Sequence, residues 1–178
     1  MDLINALSDL CKSTKQPIIA IDGPAGAGKT ILAHNLKLAL SKSFRVGELH
    51  MDDLYDGWDH ALSSQLTDTL THITECHKSS SPLSLSRYDW ATSEFSQATP
   101  IDACELLILE GVGSGQSAIR EQLSALIWID IAGDQGLTRV LARDGIELEN
   151  EMRKWLITQE QHFQGEGTQN AADFLLTT

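Results

Sequence analysis

The chain has 178 residues, of which 42% are hydrophobic and 21% charged, and its formal net charge is −12. That length suits one folded domain with a real core and is short for two. The charge balance argues against a long nucleic-acid footprint, which needs clustered Lys and Arg, yet suits a small anionic ligand held by a few local groups. No apolar run reaches membrane-spanning length; Leu106 to Leu109, for one, is bounded by Glu105 and Glu110. The N-terminal stretch Met1-Asp2-Leu3-Ile4 does not read as a signal peptide. Cys11, Cys76 and Cys104 are scattered, odd in number and outside metal-ligand spacing, so reduced thiols in a cytoplasmic protein are expected.

Leu3, Ile4, Leu7, Leu10 and Cys11 fall on one face of a short helix, which Pro17 separates from the apolar run Ile18 to Ile21. That run reads as a buried parallel strand. A glycine-rich loop follows, and then Ile31, Leu32, Leu36, Ala39 and Leu40 repeat with helical period. A second strand is expected from Phe44 to Leu49, and a helix from Leu62 to about Cys76. The stretch from Lys78 to Pro100 is polar and serine-rich, with short strand signals near Leu83 and Tyr88. Tyr88 and Trp90 are poor linker residues, so this stretch reads as a substrate-side excursion over the sheet. Cys104 to Leu109 and Leu126 to Ile131 make a third and a fourth strand. A helix from Asp134 to Arg143, a second carrying Leu148, Met152, Trp155, Leu156 and Phe163, and a short apolar run from Asp173 to Leu176 close the chain. Strands alternating with helices indicate an α/β domain with a mostly parallel sheet.

The glycine loop carries the strongest chemical signal. Gly23-Pro24-Ala25-Gly26-Ala27-Gly28-Lys29-Thr30 fits G-x-x-x-x-G-K-[ST] at every fixed position, between a strand and a helix as that motif requires. Backbone N–H groups of Gly23, Ala25, Gly26, Ala27 and Gly28 are expected to face the phosphates of ATP or a similar triphosphate. Lys29 would reach the β- and γ-phosphates, and the Thr30 hydroxyl would ligate Mg²⁺. No N-K-x-D guanine signature occurs, and Asp130-Ile131-Ala132-Gly133 comes too late in the α/β order to be a D-x-x-G switch, which disfavours a GTPase. The chain is also small for a self-contained motor ATPase.

At the end of the second strand stands Met51-Asp52-Asp53-Leu54-Tyr55-Asp56-Gly57-Trp58-Asp59, where open α/β sheets collect their ligands. A carboxylate there can take a hydroxyl proton during phosphoryl transfer or hold a metal. Glu110 follows a buried strand and is expected to face the phosphate site. Arg139 and Arg143, four residues apart, share a helix face. His50 lies beside the acidic loop within reach of a ligand; His34, His60, His72 and His162 read as surface or packing residues, and Trp128 and Trp155 as core.

The P-loop, Asp52-Asp53-Leu54-Tyr55, Tyr88-Asp89-Trp90 and Leu109-Glu110-Gly111 together resemble the uridine kinase family, more narrowly its small actinobacterial members. The similarity continues through Trp128-Ile129-Asp130, Arg139 to Asp144 and Phe163 to Asp173, nearly the whole chain. It implies a three-layer P-loop fold like that of the nucleoside monophosphate kinases, a five-stranded mostly parallel sheet flanked by helices. It implies Asp52 as general base and metal neighbour, Glu110 completing the Mg²⁺ environment with Thr30, and Tyr55, Asp59 and Tyr88 lining an acceptor pocket. Arg139 and Arg143 would belong to a lid, over about residues 139–150, that closes on the phosphates. The acceptor so implied is a small hydroxyl-bearing molecule, a nucleoside first. Asp144-Gly145-Ile146-Glu147 is shorter and more acidic than the family's arginine-rich lid, and Ser93 stands where a base-contacting histidine is found. These departures keep two other expectations open: a kinase of another metabolite, and a nucleotide-binding regulator with little transfer.

Overall fold

The computed structural model describes residues 3–178; Met1 and Asp2, part of the stretch read for a leader peptide, lie outside the described residues. The chain opens with α1 (Leu3–Ser13), β1 (Ile18–Asp22), α2 (Lys29–Leu40), β2 (Val46–His50), a 3-10 turn at Met51–Asp53 and α3 (Ser64–Ser79). Four short strands follow: β3 (Leu83–Leu85), β4 (Tyr88–Asp89), β5 (Glu94–Phe95) and β6 (Thr99–Ile101). The remainder comprises β7 (Leu106–Glu110), a 3-10 turn at Ser117–Gln122, β8 (Ala125–Asp130), α4 (Gly133–Asp144), α5 (Glu149–Glu166), α6 (Thr168–Ala171) and β9 (Phe174–Thr177).

The main sheet has five strands in the order β2-β7-β1-β8-β9, and every neighbouring pair is parallel. Helices cover both faces, so the central strands are apolar up to their last residues, and those apolar residues sort by alternation. Leu106 and Ile108 of β7, with Ile127 and Ile129 of β8, join α1 and α2 in one core, where Leu7, Leu36 and Leu40 are buried. Leu107 and Leu109 of β7, with Trp128 of β8, turn the other way to meet Leu66, Leu70, Trp155 and Phe163. Trp128 packs edge-on against Phe163 with ring centroids 4.7 Å apart, which places this tryptophan in the core as its sequence context suggests. The three-layer arrangement and the five parallel strands match the architecture expected from the sequence.

The boundaries differ from expectation in small ways with local causes. The second and third strands begin at Val46 and Leu106 rather than at Phe44 and Cys104, because the ladder starts where these two residues face each other. Residues 83–101 do form short strands, but as two separate antiparallel pairs, β3 with β6 and β4 with β5, apart from the main sheet. The final apolar run becomes the edge strand β9, paired to β8 from Phe174 opposite Ile127 to Thr177 opposite Asp130. The turns at 51–53 and 117–122 and the four-residue α6 carry too few residues to show a period, so sequence reading passed over them.

Register decides what meets at the carboxyl edge of the sheet. His50 lies opposite Glu110 and Ile21 also lies opposite Glu110, so β2, β7 and β1 end together. Asp22, the last residue of β1, lies opposite Trp128 of β8. Because the core depends on close packing along this alternation, Ile108→Ala, at a fully buried position, should cost about 2–5 kcal/mol of unfolding free energy in urea denaturation.

Candidate active site

The loop from Gly23 to Gly28 connects β1 to the first turn of α2, and its shape is dictated by backbone packing. Gly23 has φ +138, and a Cβ there would lie 2.2 Å from the Ile129 carbonyl oxygen. Gly26 meets Gly136 of α4 so closely that a Cβ on the former would lie 2.3 Å from the Gly136 oxygen. A Cβ on Gly136 would in turn lie 2.6 Å from the Ala25 oxygen, so loop and helix touch backbone to backbone. On the other side Ala25 N donates to Gln159 Oε1 of α5 at 3.1 Å.

Beneath the loop sits Asp22, fully buried. Its Oδ1 accepts from Gly23 N at 2.8 Å and Gly113 N at 3.1 Å, and its Oδ2 accepts from Gly115 N at 2.9 Å. One carboxylate thus ties the P-loop to the loop that follows β7. Burial raises its pKa, while the Gly115 and Gly23 N–H groups, the Lys29 charge and the Gly113 N–H oppose the rise. Lys29, also buried, donates from Nζ to Gly23 O at 2.7 Å and Pro24 O at 2.9 Å. Burial lowers its pKa, against the pull of Asp22, Glu110 and Asp52.

Glu110 is 5% exposed and gathers two partners on one oxygen. Its Oε1 accepts from Thr30 Oγ1 at 3.1 Å and meets His50 Nδ1 at 2.5 Å. The Glu110 hydrogen bond raises the His50 pKa; burial lowers it, and the charges of Glu110, Glu48 and Asp53 add to the rise. Asp52 stands on the wall of the cleft, open to its solvent but with protein on most sides. Desolvation, then the Glu110 charge, raise its pKa, and Lys29, Arg143 and His50 pull it back. Asp53 turns elsewhere and binds Arg87, with Oδ2 2.6 Å from Nη1. Asp52 and Asp53 diverge because they occupy a 3-10 turn, not the continued strand whose alternation would have separated them.

A cavity of about 500 Å³ joins these groups. Lys29, Thr30, Asp52, Glu110, Arg139 and Arg143 border it, together with the backbone of Gly26, Gly28 and Ala25. Ala27 is buried under the loop. Arg139 Nη1 lies 3.4 Å from Gly26 O and 3.2 Å from Thr178 Oγ1, over the P-loop. Arg143 makes a two-pronged contact with its neighbour Asp144, Nε to Oδ1 and Nη2 to Oδ2, each 2.6 Å. Among the residues expected at an acceptor pocket, Tyr55 borders the cavity, although its hydroxyl is spent on Val112 O at 2.7 Å. Asp59 is exposed and Tyr88 stands behind Trp90, so neither is brought to the cavity wall. Tyr88 packs edge-on between Trp90 and Phe95, at 5.1 and 5.2 Å.

Five residues of the site were not among the site residues expected from sequence. Asp22 had a signal, since a carboxylate ending an otherwise apolar buried strand needs partners. Trp58 and Trp90 stood out only as aromatics in polar company, and Trp155, read as core, is buried but also borders the cavity. Gln159 had no signal, because its role depends on where α5 packs.

The hydroxyl of Thr30 and the carboxylates of Asp52 and Glu110 are hard oxygen donors, and this set fits Mg²⁺ that also takes waters and phosphate oxygens. Among the described residues, no cluster of three or more His, Cys, Asp or Glu forms a metal cage. No helix among them is long and apolar enough to cross a membrane. Asp22→Asn keeps the volume but sets an amide donor against a backbone N–H. It should lower stability by about 1–3 kcal/mol in urea denaturation and weaken triphosphate binding measured by calorimetry.

No protein-family model matches the chain. No curated protein matches its sequence. Solved structures do match. A possible uridine kinase from Bacillus stearothermophilus superposes with a TM-score of 0.68 at 20% identity, over 97% of this chain and 96% of that one. A candidate fructose transport system kinase from Silicibacter sp. TM1040 gives 0.66 at 15% identity, over 98% and 99%. Shikimate kinase from Bacteroides thetaiotaomicron gives 0.51 at 14% identity, over 90% and 85%. The parallel sheet, the glycine loop and these superpositions together establish that the chain has the P-loop kinase fold, of the kind seen in the uridine kinase-like structure.

Proposed function

We propose that this protein is a kinase that moves the γ-phosphoryl group of ATP to a hydroxyl of a small molecule in the cytoplasm. The observation that carries this reading is the convergence of Lys29, Thr30, Asp52 and Glu110 on one cavity at the mouth of the P-loop. A nucleotide-binding module needs the loop and one carboxylate near the metal; a second carboxylate, Asp52 beside Glu110, supplies the base that transfer requires.

Phosphoryl transfer depends on positioning and charge stabilisation more than on covalent chemistry by the protein. The backbone N–H groups of Gly26 and Gly28 and the N-terminal end of α2 attract the triphosphate; those of Gly23, Ala25 and Ala27, expected to join them, are donated instead to Asp22, Gln159 and Pro24. Lys29 leaves its two carbonyl partners for phosphate oxygens. Asp52 accepts the proton of the acceptor hydroxyl as the new O–P bond forms and the bond from the γ-phosphorus to the β–γ bridging oxygen breaks, releasing ADP. Thr30, Asp52 and Glu110 would hold Mg²⁺ directly or through water, and His50 fixes the orientation of the Glu110 carboxylate. When bound, Mg²⁺ neutralises charge developing on the phosphate oxygens. Arg139, over the loop, and Arg143, on the next turn of α4, supply positive charge from the lid side. Of the residues offered for the acceptor, Tyr55 contributes its ring. The aromatic wall suits an acceptor with a flat ring; a nucleoside is the acceptor that the sequence resemblance implies.

A second reading draws on the Arg143–Asp144 pair. While Asp144 occupies both prongs of the guanidinium, that arginine is held from phosphate, as in a nucleotide-binding regulator with little transfer. ADP release measured with and without acceptor separates the two, since a regulator binds ATP tightly and shows no acceptor effect.

Lys29→Ala should weaken ATP binding at least tenfold by titration calorimetry. Unchanged affinity would count against the site. Asp52→Asn should lower acceptor-dependent turnover by roughly 10²–10⁴-fold while ATP still binds. Asp53→Asn, which loses only the partly exposed Arg87 pair, should cost much less. If Asp53→Asn is the dead enzyme, the base has been misassigned; if both variants stay active, the mechanism fails.

A further inference from the structure

The wall of the cavity beyond Asp52 is aromatic. Trp90 Nε1 donates to the Asp52 carbonyl at 3.0 Å, and from there the rings run on without a break. Trp90 and Trp58 have centroids 5.2 Å apart, Trp58 and Trp155 6.1 Å, and Trp155 and Tyr55 5.5 Å. Val112 and Met152 complete the same wall.

Two of the polar groups along this wall are already engaged, and the indole N–H groups of Trp58 and Trp155 remain as donors. The Tyr55 hydroxyl is bound to Val112 O and the Trp90 indole N–H to Asp52 O. Among the described residues that border the cavity there is no Asn, Gln, Ser or His. The charged ones are Lys29, Asp52 and Glu110 at the phosphate end, Arg139 over the loop, and Arg143 with Asp144 paired to each other. A polyol or the diol of a ribose would bury several hydroxyl donors against a wall whose free polar groups, the indole N–H groups of Trp58 and Trp155, are themselves donors only. Each hydroxyl so buried weakens binding roughly tenfold. A flat ring instead gains from stacked and edge-on contacts with the indoles.

Resting on the kinase reading, we propose that the acceptor is an aromatic alcohol: a flat, weakly polar ring carrying its hydroxyl on a short arm, and neither a sugar nor a nucleoside. The ring lies among Trp58, Trp90 and Trp155, and the arm brings the hydroxyl to Asp52. Its oxygen forms the bond to the γ-phosphorus, its proton passes to Asp52, and ADP departs with the electron pair of the broken P–O bond.

The test measures ADP release at saturating ATP and Mg²⁺ with benzyl alcohol and 2-naphthalenemethanol, against uridine, D-fructose and shikimate. The expected result is a kcat/KM at least tenfold higher for the ring alcohols than for the other three. Trp58→Leu should lower the value for 2-naphthalenemethanol about tenfold, and Trp58→Phe, which restores a flat face, should recover most of it. Trp90, 41% exposed on the rim, gives a second pair of variants, Trp90→Leu and Trp90→Phe, should Trp58→Leu not fold. If uridine, D-fructose or shikimate equals or exceeds the ring alcohols, the assignment of the acceptor is overturned while phosphoryl transfer stands. If none of the five raises ADP release above the rate with ATP alone, phosphoryl transfer is overturned and this assignment falls with it.

Discussion

A single buried carboxylate holds the working end of this molecule together. Asp22 ends the central strand, and its two oxygens take three backbone N–H groups from two different loops. A charge in that position is costly, and the cost is offset by those bonds and by the buried ammonium of Lys29 nearby. The arrangement fixes the P-loop relative to the glycines after β7 before any ligand arrives. Everything that meets at the cavity is referred to that anchor: Lys29 from the loop, Thr30 from the first turn of α2, and Glu110 one residue before the second loop begins.

The sheet does the rest through register. His50 and Glu110 are paired across β2 and β7, so the imidazole and carboxylate meet because the strands end level. The Thr30 hydroxyl reaches the same carboxylate oxygen from the helix side. Three residues far apart in sequence therefore share one point, and no long side chain has to be stretched to achieve it. This economy suits chemistry that asks for placement more than for reactive groups.

Much of this was legible in the sequence, for identifiable reasons. The P-loop has fixed residue types at fixed spacing, so its place between β1 and α2 followed from the flanking apolar periods. The buried strands read clearly because both faces are covered and every residue before the terminal carboxylate is apolar. The acceptor side was less legible. Tyr55 and Trp58 were noticeable among acids, but Asp59 next to Trp58 points to solvent, a matter of local turn geometry that spacing does not encode. Trp155 lies a hundred residues beyond Tyr55 and reaches it only through the packing of α5. Tyr88 was noticed for the right physical reason, an aromatic in a polar stretch, yet it acts by bracing Trp90. The divergence of Asp52 and Asp53 arises from a 3-10 turn, whose three residues are too few to announce it in the sequence.

The bare contact between Gly26 and Gly136 has a mechanical meaning. Side chains normally separate a loop from a helix and can yield by changing rotamer; here two backbones touch with no such cushion between them. A shift of the P-loop by a few tenths of an ångström must therefore be followed by the start of α4, and a tilt of α4 must be felt by the loop. Arg139 and Arg143 ride on that helix, so the two arginines and the phosphate cradle form a stiff linkage. The first glycine beyond it, Gly145 with φ +111, is where the chain regains its freedom to bend.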